Sequence, residues 1–273
     1  MSVSLIVTAD DFGRSVAINR AVEIAATGGI LRCTSLMVNG LAISDALLRL
    51  EKLSDKLQVG LHITLTEGKP LLNKTASSFL VNKHGNFIGS QVGAGLCVQF
   101  NHTVRKQVEK EVAAQFKAYK DIGLFSTHVD SHHHMHIHPV IFDILLENAA
   151  KYGFKRIRIP TEPWEISPIC KGHKIRNFFY RHTFTTLGQV CRKKLSKTNI
   201  KAPDGVFGLY ITGELTADWL LMLIELIKSK TGTYELYTHP ADTAGTNGYS
   251  EFMALLDQRV HNKILNNGIT LMT

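Results

Sequence analysis

The chain has 273 residues, 44% of them hydrophobic and 20% charged, a globular composition able to bury a large core. No apolar stretch approaches the roughly 20 residues that a bilayer span needs, so no transmembrane helix is expected. The formal charge is +8, but it is concentrated between Ile166 and Pro203, where Lys171, Lys174, Arg176, Arg181, Arg192, Lys193, Lys194, Lys197 and Lys201 meet no acidic residue; a local excess of this kind does not argue for nucleic acid.

The N-terminus enters an apolar run at once, without a basic leader, which suggests a cytoplasmic protein. The first expected strand, Leu5 to Thr8, runs into Asp10-Asp11-Phe12-Gly13. Two adjacent carboxylates at the end of a buried strand repel each other and resist desolvation unless a cation holds one of them. The competing assignment is a cap for the helix expected over Ser15 to Ala26, for which Ser15 is the better candidate. Gly28-Gly29 closes that helix. A strand over Thr34 to Val38 and a helix over Ser44 to Leu53 follow.

The third strand, Val59 to Thr64, carries His62 within an otherwise apolar run, where a lone histidine is more often a hydrogen-bonded core residue than a ligand. Residues 66–102, rich in Gly, Ser and Asn, interrupt the alternation and read as a long loop. A helix over Val104 to Ile122 leads to the fourth strand, Ser126 to Asp130, and to the run His128-Val129-Asp130-Ser131-His132-His133-His134-Met135-His136-Ile137-His138. Period-two alternation puts His128, Asp130 and His132 on one side. A purification tag would lie at a terminus, and this run sits at a strand-to-helix junction. Spacing alone does not choose among these histidines.

A helix over Pro139 to Tyr152 precedes the fifth strand, Arg156 to Ile159, whose Arg158 could orient a substrate or form a surface ion pair. Residues 161–203 read as a second long loop, both basic and aromatic through Phe178, Phe179, Tyr180 and Phe184, a mixture suited to an anionic membrane surface as well as to a solvated face. Strands over Val206 to Leu209, Tyr234 to Tyr237 and Ile269 to Met272 alternate with helices over Ala217 to Ser229 and Ser250 to His261, and the seventh strand ends in Thr238-His239-Pro240. The four cysteines, Cys33, Cys97, Cys170 and Cys191, lack CxxC spacing and read as free thiols.

About eight strands with intervening helices fit an α/β fold, an irregular (β/α) TIM-like barrel, formed by one domain over 1–273 with long loops at 66–102 and 161–203; a doubly wound open sheet is the structural rival. In a parallel architecture active sites gather at the carboxyl ends of the strands. Asp and His at four such ends make a divalent-metal set with a position left open for water.

These residues resemble the YdjC or ChbG-like carbohydrate deacetylases over nearly the whole chain. The resemblance rests on Thr8 to Gly13, Met37-Val38-Asn39-Gly40, Gly60-Leu61-His62, Thr66 to Pro70, Thr127 to Pro139 and Thr238 to Ala241, in that order. Arg158 to Pro163, Val206 to Leu209 and Glu235 to Tyr237 look closest to the hopanoid-biosynthesis-associated branch, HpnK. The resemblance implies one divalent metal ion, Zn or Mg, held by Asp11, His62 and His132, with Asp10 as general base and His239 as acid or oxyanion stabiliser. Arg158 and His128 are the expected substrate contacts. The implied reaction removes the N-acetyl group of an N-acetylglucosamine-type conjugate, either a hopanoid glycolipid or a soluble chito-oligosaccharide. Peripheral contact with the inner membrane and a homodimer are further expectations. Two rival readings are a metal-dependent phosphoesterase, which would need a second ligand cluster, and a metal- or sugar-binding module, which leaves Asp10 beside Asp11 unexplained.

Overall fold

The computed structural model describes residues 3–53, 55–163 and 174–272. Its centre is strand β1 (Val3–Phe12), buried along nearly all of its length. A strand apolar on both faces suits a parallel sheet with helices packed outside it. β1 pairs in parallel with β7 (Gly232–Thr238) from Val3↔Gly232 to Ala9↔Thr238. On its other side it pairs with β2 (Cys33–Leu36) near its end and with β8 (Thr270–Leu271) near its start. With β3 (Gln58–Ile63), β4 (His128–Ser131), β5 (Arg156–Ile157) and β6 (Gly205–Phe207), the order is β5-β4-β3-β2-β1-β7-β6.

The sheet curls into a barrel-like α/β fold. At its outer strands, β5 and β6, the isolated Arg156↔Lys201 bridge joins β5 to the segment before β6, and the Val206 N–H of β6 donates to the Thr161 carbonyl beyond β5 at 3.1 Å. Because the named strands are parallel, their carboxyl ends share one face, which collects the Asp and His residues.

The helices follow their apolar stripes. α1 (Val16–Gly28) starts at Ser15, whose hydroxyl accepts the Ile18 N–H at 3.3 Å, so the cap is the serine and both aspartates are free for another role. α2 (Ile43–Leu50) follows β2. Two further helices lie where loops are expected: α3 (Gln91–Phe100) within 66–102, and α6 (Lys174–Leu195) within 161–203. Composition hid both, because α3 has two glycines and α6 mixes basic residues with aromatic and β-branched ones. Tertiary packing sustains them: Val98 is buried on α3, and Leu187, Cys191 and Leu195, spaced by four, pack into the core from α6.

α4 (His102–Asp121) buries Val104, Val108, Val112 and Phe116 on one side, and α5 (Pro139–Lys151) lies beside it. Phe116 meets Phe154 edge-on, with ring centroids 5.1 Å apart. After α7 (Ala217–Ile227), the single C-terminal helix expected over Ser250 to His261 is two helices, α8 (Asn247–Leu256) and α9 (Gln258–Asn266). The break is at Asp257, whose carboxylate caps the second by accepting the Arg259 N–H at 2.8 Å. Among the described residues no helix is long and apolar enough to cross a membrane.

Candidate functional site

The last residues of β1 do not alternate like an ordinary strand. The register against β2 shifts between Ala9 and Phe12, and Asp11 takes φ 63°, a left-handed conformation uncommon outside glycine. This bulge re-aims Asp11, so the neighbouring carboxylates of Asp10 and Asp11 both face the group around His62. Backbone strain at a non-glycine residue, held by a buried strand on each side, is a frequent mark of functional positions.

Asp11 Oδ1 lies 3.2 Å from His62 Nε2 and 2.8 Å from His132 Nδ1. Asp11 Oδ1 and His62 Nε2 are nevertheless buried without a hydrogen bond, because the atoms converge on a common point rather than aim at one another. The opposite nitrogen of His62 explains this: Nδ1 is 2.7 Å from Asp130 Oδ1. When Nδ1–H donates to Asp130, Nε2 presents a lone pair toward the carboxylate. One oxygen and two imidazole nitrogens within 4.8 Å of one another form a donor set suited to zinc or another divalent ion.

Charge supports the same fit. Asp10, Asp11, Asp130 and Glu235 are all buried, and one buried guanidinium, Arg158, lies among them. Arg158 grips Asp10 with a fork of 2.6 and 2.8 Å, donates to Glu235 at 2.8 and 3.0 Å, and lies 2.8 Å from Asp130. Its guanidinium carbon also lies 4.9 Å from the Tyr237 ring centroid. Arg14 meets the other oxygen of Asp11 at 2.7 Å, and four buried carboxylates still exceed what these two guanidiniums neutralise, leaving a demand for positive charge.

Protonation follows from these contacts. Burial raises the Asp10 carboxyl above its ordinary value, and the adjacent Arg158 only partly offsets this. Burial would raise Asp11 as well, but the two imidazoles beside it hold it well below the usual carboxylate range. Burial alone would lower His62; Asp130 and Asp10 outweigh it and push the imidazole up to about 10. Binding of an ion at Nε2 would therefore compete with protonation of this imidazole.

Asp10, His62 and His239 all line a cleft of about 310 Å³ at this face. His239 Nδ1 is buried without a hydrogen bond, and its backbone N–H is held by Glu251 at 2.6 Å. Gln91 of α3 and Phe184 of α6 also line the cleft, together with Thr212 and Tyr237, so both unexpected helices contribute to its walls.

Two expected substrate contacts lie elsewhere. Arg158 is fully buried beneath the cleft and is neither at its mouth nor on the surface; its side chain is committed to carboxylates. His128 is likewise buried beneath it: Nε2 contacts Ser35 Oγ at 3.1 Å, Nδ1 contacts Thr127 Oγ1 at 3.1 Å, and the ring fills the space beside Gly60. Burial pushes His128 down to about 4, as befits a neutral core imidazole.

The histidine run divides by role. His136 is satisfied by Ser131 and the Arg158 carbonyl, each at 2.7 Å. His133 and His134 have φ of 54° and 53°, and these left-handed residues turn the chain from β4 toward α5. Sequence reasoning did not assign Asp130 or Glu235. The available signals were the two-residue spacing of Asp130 from His128 and His132, and a carboxylate at the centre of apolar β7.

The basic segment also reads differently in three dimensions. Residues 164–173, including Lys171, and the side chains of Lys174, Arg176, Phe178, Phe179 and Tyr180 lie outside what the structure describes. Farther along, Arg192 donates to the Pro203 carbonyl at 2.8 Å and Lys194 pairs with Asp143 at 2.6 Å. Those two cations brace α6 against its neighbours.

The family model described as YdjC-like protein matches residues 4–266. A carbohydrate deacetylase of Thermoanaerobacter pseudethanolicus is 29% identical over 237 residues, covering 87% of this chain and 80% of the relative. One of Geobacillus stearothermophilus is 37% identical over 161 residues, 58% of each chain, so this alignment spans less than two thirds of that relative. A crystal structure from Enterococcus faecalis V583, of a candidate cellobiose-phosphate cleavage protein, superposes with a TM-score of 0.78 at 22% identity, covering 100% of this chain and 98% of that one, and shows the same fold.

Proposed function

The chain belongs to the YdjC-like family, and from that premise we propose that it is a metal-dependent carbohydrate N-deacetylase acting on an N-acetylglucosamine-type conjugate. The observation that carries this reading is the convergence of Asp11 Oδ1, His62 Nε2 and His132 Nδ1, two of them buried without a hydrogen bond, beside the raised carboxyl of Asp10.

In this reading Asp11, His62 and His132 hold one divalent ion, zinc or magnesium, with Asp130 orienting His62 from behind. Such an ion supplies Lewis acidity, polarising an acetyl carbonyl and acidifying water. Asp10 accepts the proton of the attacking water; its raised pKa makes it a stronger base than an ordinary aspartate, and the Arg158 fork fixes its orientation. Attack at the amide carbon breaks the C–N bond and releases acetate and the sugar amine. His239, facing the cleft with an unpartnered Nδ1, protonates that amine or stabilises the oxyanion. The Tyr237 and Phe184 rings give a sugar apolar surface to lie against.

For the acceptor we favour a lipid-linked amino sugar of the hopanoid type, on the strength of Arg158 to Pro163 and Val206 to Leu209; a soluble chito-oligosaccharide is the alternative. Mass spectrometry for the loss of one acetyl group, across N-acetylglucosamine-bearing lipids and chito-oligosaccharides, tests the reaction and the acceptor together. Turnover of neither class would remove the deacetylase reading.

One observation favours the phosphoesterase rival: Glu67, His132 and His133 form a second potential ligand cluster. It is a weaker metal site, because Glu67 is half-exposed and already paired with Arg14 at 2.7 Å, and His132 would have to serve both clusters. Activity on phosphate esters with two metal equivalents bound would establish this rival.

A further inference from the structure

The segment that leads into the first turns of α4 has a property that the proposed chemistry does not use. From Gly68 to Val108 the chain carries Lys69, Lys74, Lys83, Arg105 and Lys106 and neither Asp nor Glu. All four lysines are exposed. So are five large apolar residues of the same segment, Leu71, Phe79, Ile88, Leu96 and Phe100, with Phe100 81% and Leu96 56% exposed. α3 has no charged residue, and Leu96 and Phe100, four apart, present one side of it to solvent. An apolar cavity of about 150 Å³, lined in part by Phe79, Ile88, Ala94 and Val98, extends this surface inward.

We propose that this face, Leu96 and Phe100 of α3 with the exposed lysines of the same segment, docks on an anionic lipid surface. Apolar side chains enter the interfacial region while lysines meet the headgroups, the pattern of proteins that lie on a membrane without crossing it. Charge selects this occupant over a second copy of the chain. A two-fold contact through the same face would bring lysines against lysines with no carboxylate from the segment to neutralise them. Docking also has a use: Gln91, the first residue of α3, lines the cleft, so a membrane held by α3 lies beside the cleft mouth. This consequence rests on the deacetylase reading, since it suits an amino sugar carried on a lipid; the docking does not.

Co-sedimentation of the full chain with phosphatidylglycerol-containing vesicles and with pure phosphatidylcholine vesicles, without substrate, tests the docking independently of activity. The anionic vesicles should bind the chain at least about 10-fold more tightly, and the preference should fade with salt. Phe100→Asp and, separately, the double substitution Lys74→Gln, Lys83→Gln should each weaken binding about 10-fold or more, with circular dichroism and turnover of a soluble acetylated sugar unchanged. Equal binding to both vesicle types, no binding, or full binding by both variants would overturn the proposal. Concentration-dependent dimerisation that Phe100→Asp abolishes, with no vesicle binding, would assign the face to a second copy instead.

Discussion

Arg158 Nη1 and Nη2 meet the two oxygens of Asp10 at 2.6 and 2.8 Å, joining the fifth strand to the first beneath the cleft with both side chains buried. Removing the guanidinium strands Asp10, Asp130 and Glu235 together, a loss of about 3–5 kcal/mol for a broken buried pair. Arg158 also lowers the Asp10 pKa, so its loss raises that pKa further. Arg158→Met, which removes the charge, should therefore reduce the melting temperature and move the acid limb of kcat/KM to higher pH. An unchanged pH profile would separate Arg158 from the base.

Asp10→Asn should lower kcat by about 100-fold or more, the usual cost of losing general-base assistance, with bound metal retained. Metal analysis beside steady-state kinetics checks both halves. Loss of metal in this variant would make Asp10 a ligand and void its role as base.

His132→Ala should empty the metal position, whereas His128→Ala should leave metal content intact, because His128 contacts Ser35, Thr127 and Gly60 beneath it. Asp130→Asn, which removes the charge behind His62, should weaken metal affinity about 10- to 100-fold. Titration with zinc against a chelator orders the three variants, and the reverse order for the two histidines would reject the ligand set.

Gly60→Ala should destabilise the fold by about 1–3 kcal/mol, since an added Cβ would stand 2.4 Å from the His128 ring between neighbouring strands. Gly89→Ala, where a Cβ meets nothing, serves as the control in thermal melts.

Glu162 is buried, with Tyr210 N–H donating to it at 3.1 Å, and burial pushes its carboxyl up to about 8 against an ordinary 4.5. The folded state therefore holds a proton that the unfolded state has released between these two values. Stability from this group is complete below about pH 4.5 and falls by about 1.4 kcal/mol per pH unit as pH rises toward 8. Glu162→Gln should flatten that slope in denaturant titrations run from pH 5 to 8.

Local pattern was enough to order the strands and most helices along the chain, because apolar runs such as Leu5 to Val7 and Val59 to Ile63 are short, β-branched and bounded by turn residues. It also marked Asp10, Asp11, His62, His239 and the histidine run as a whole, since charged or imidazole groups at the ends of buried strands conflict with local hydrophobicity; the choice of His132 within that run came from the family resemblance. Which of them would meet depended on the parallel pairing that sets His62 opposite Asp130 and Ala9 opposite Thr238. Helices α3 and α6 were not legible, because their sequences favour helix weakly and contacts from distant elements hold them. Arg158 and His128 show the same limit most clearly. A sequence reveals that a residue can bind a ligand, but burial and partner geometry decide whether its donors face the cleft or are consumed by the protein: Arg158 spends its guanidinium on Asp10, Asp130 and Glu235, and His128 its ring on Ser35 and Thr127.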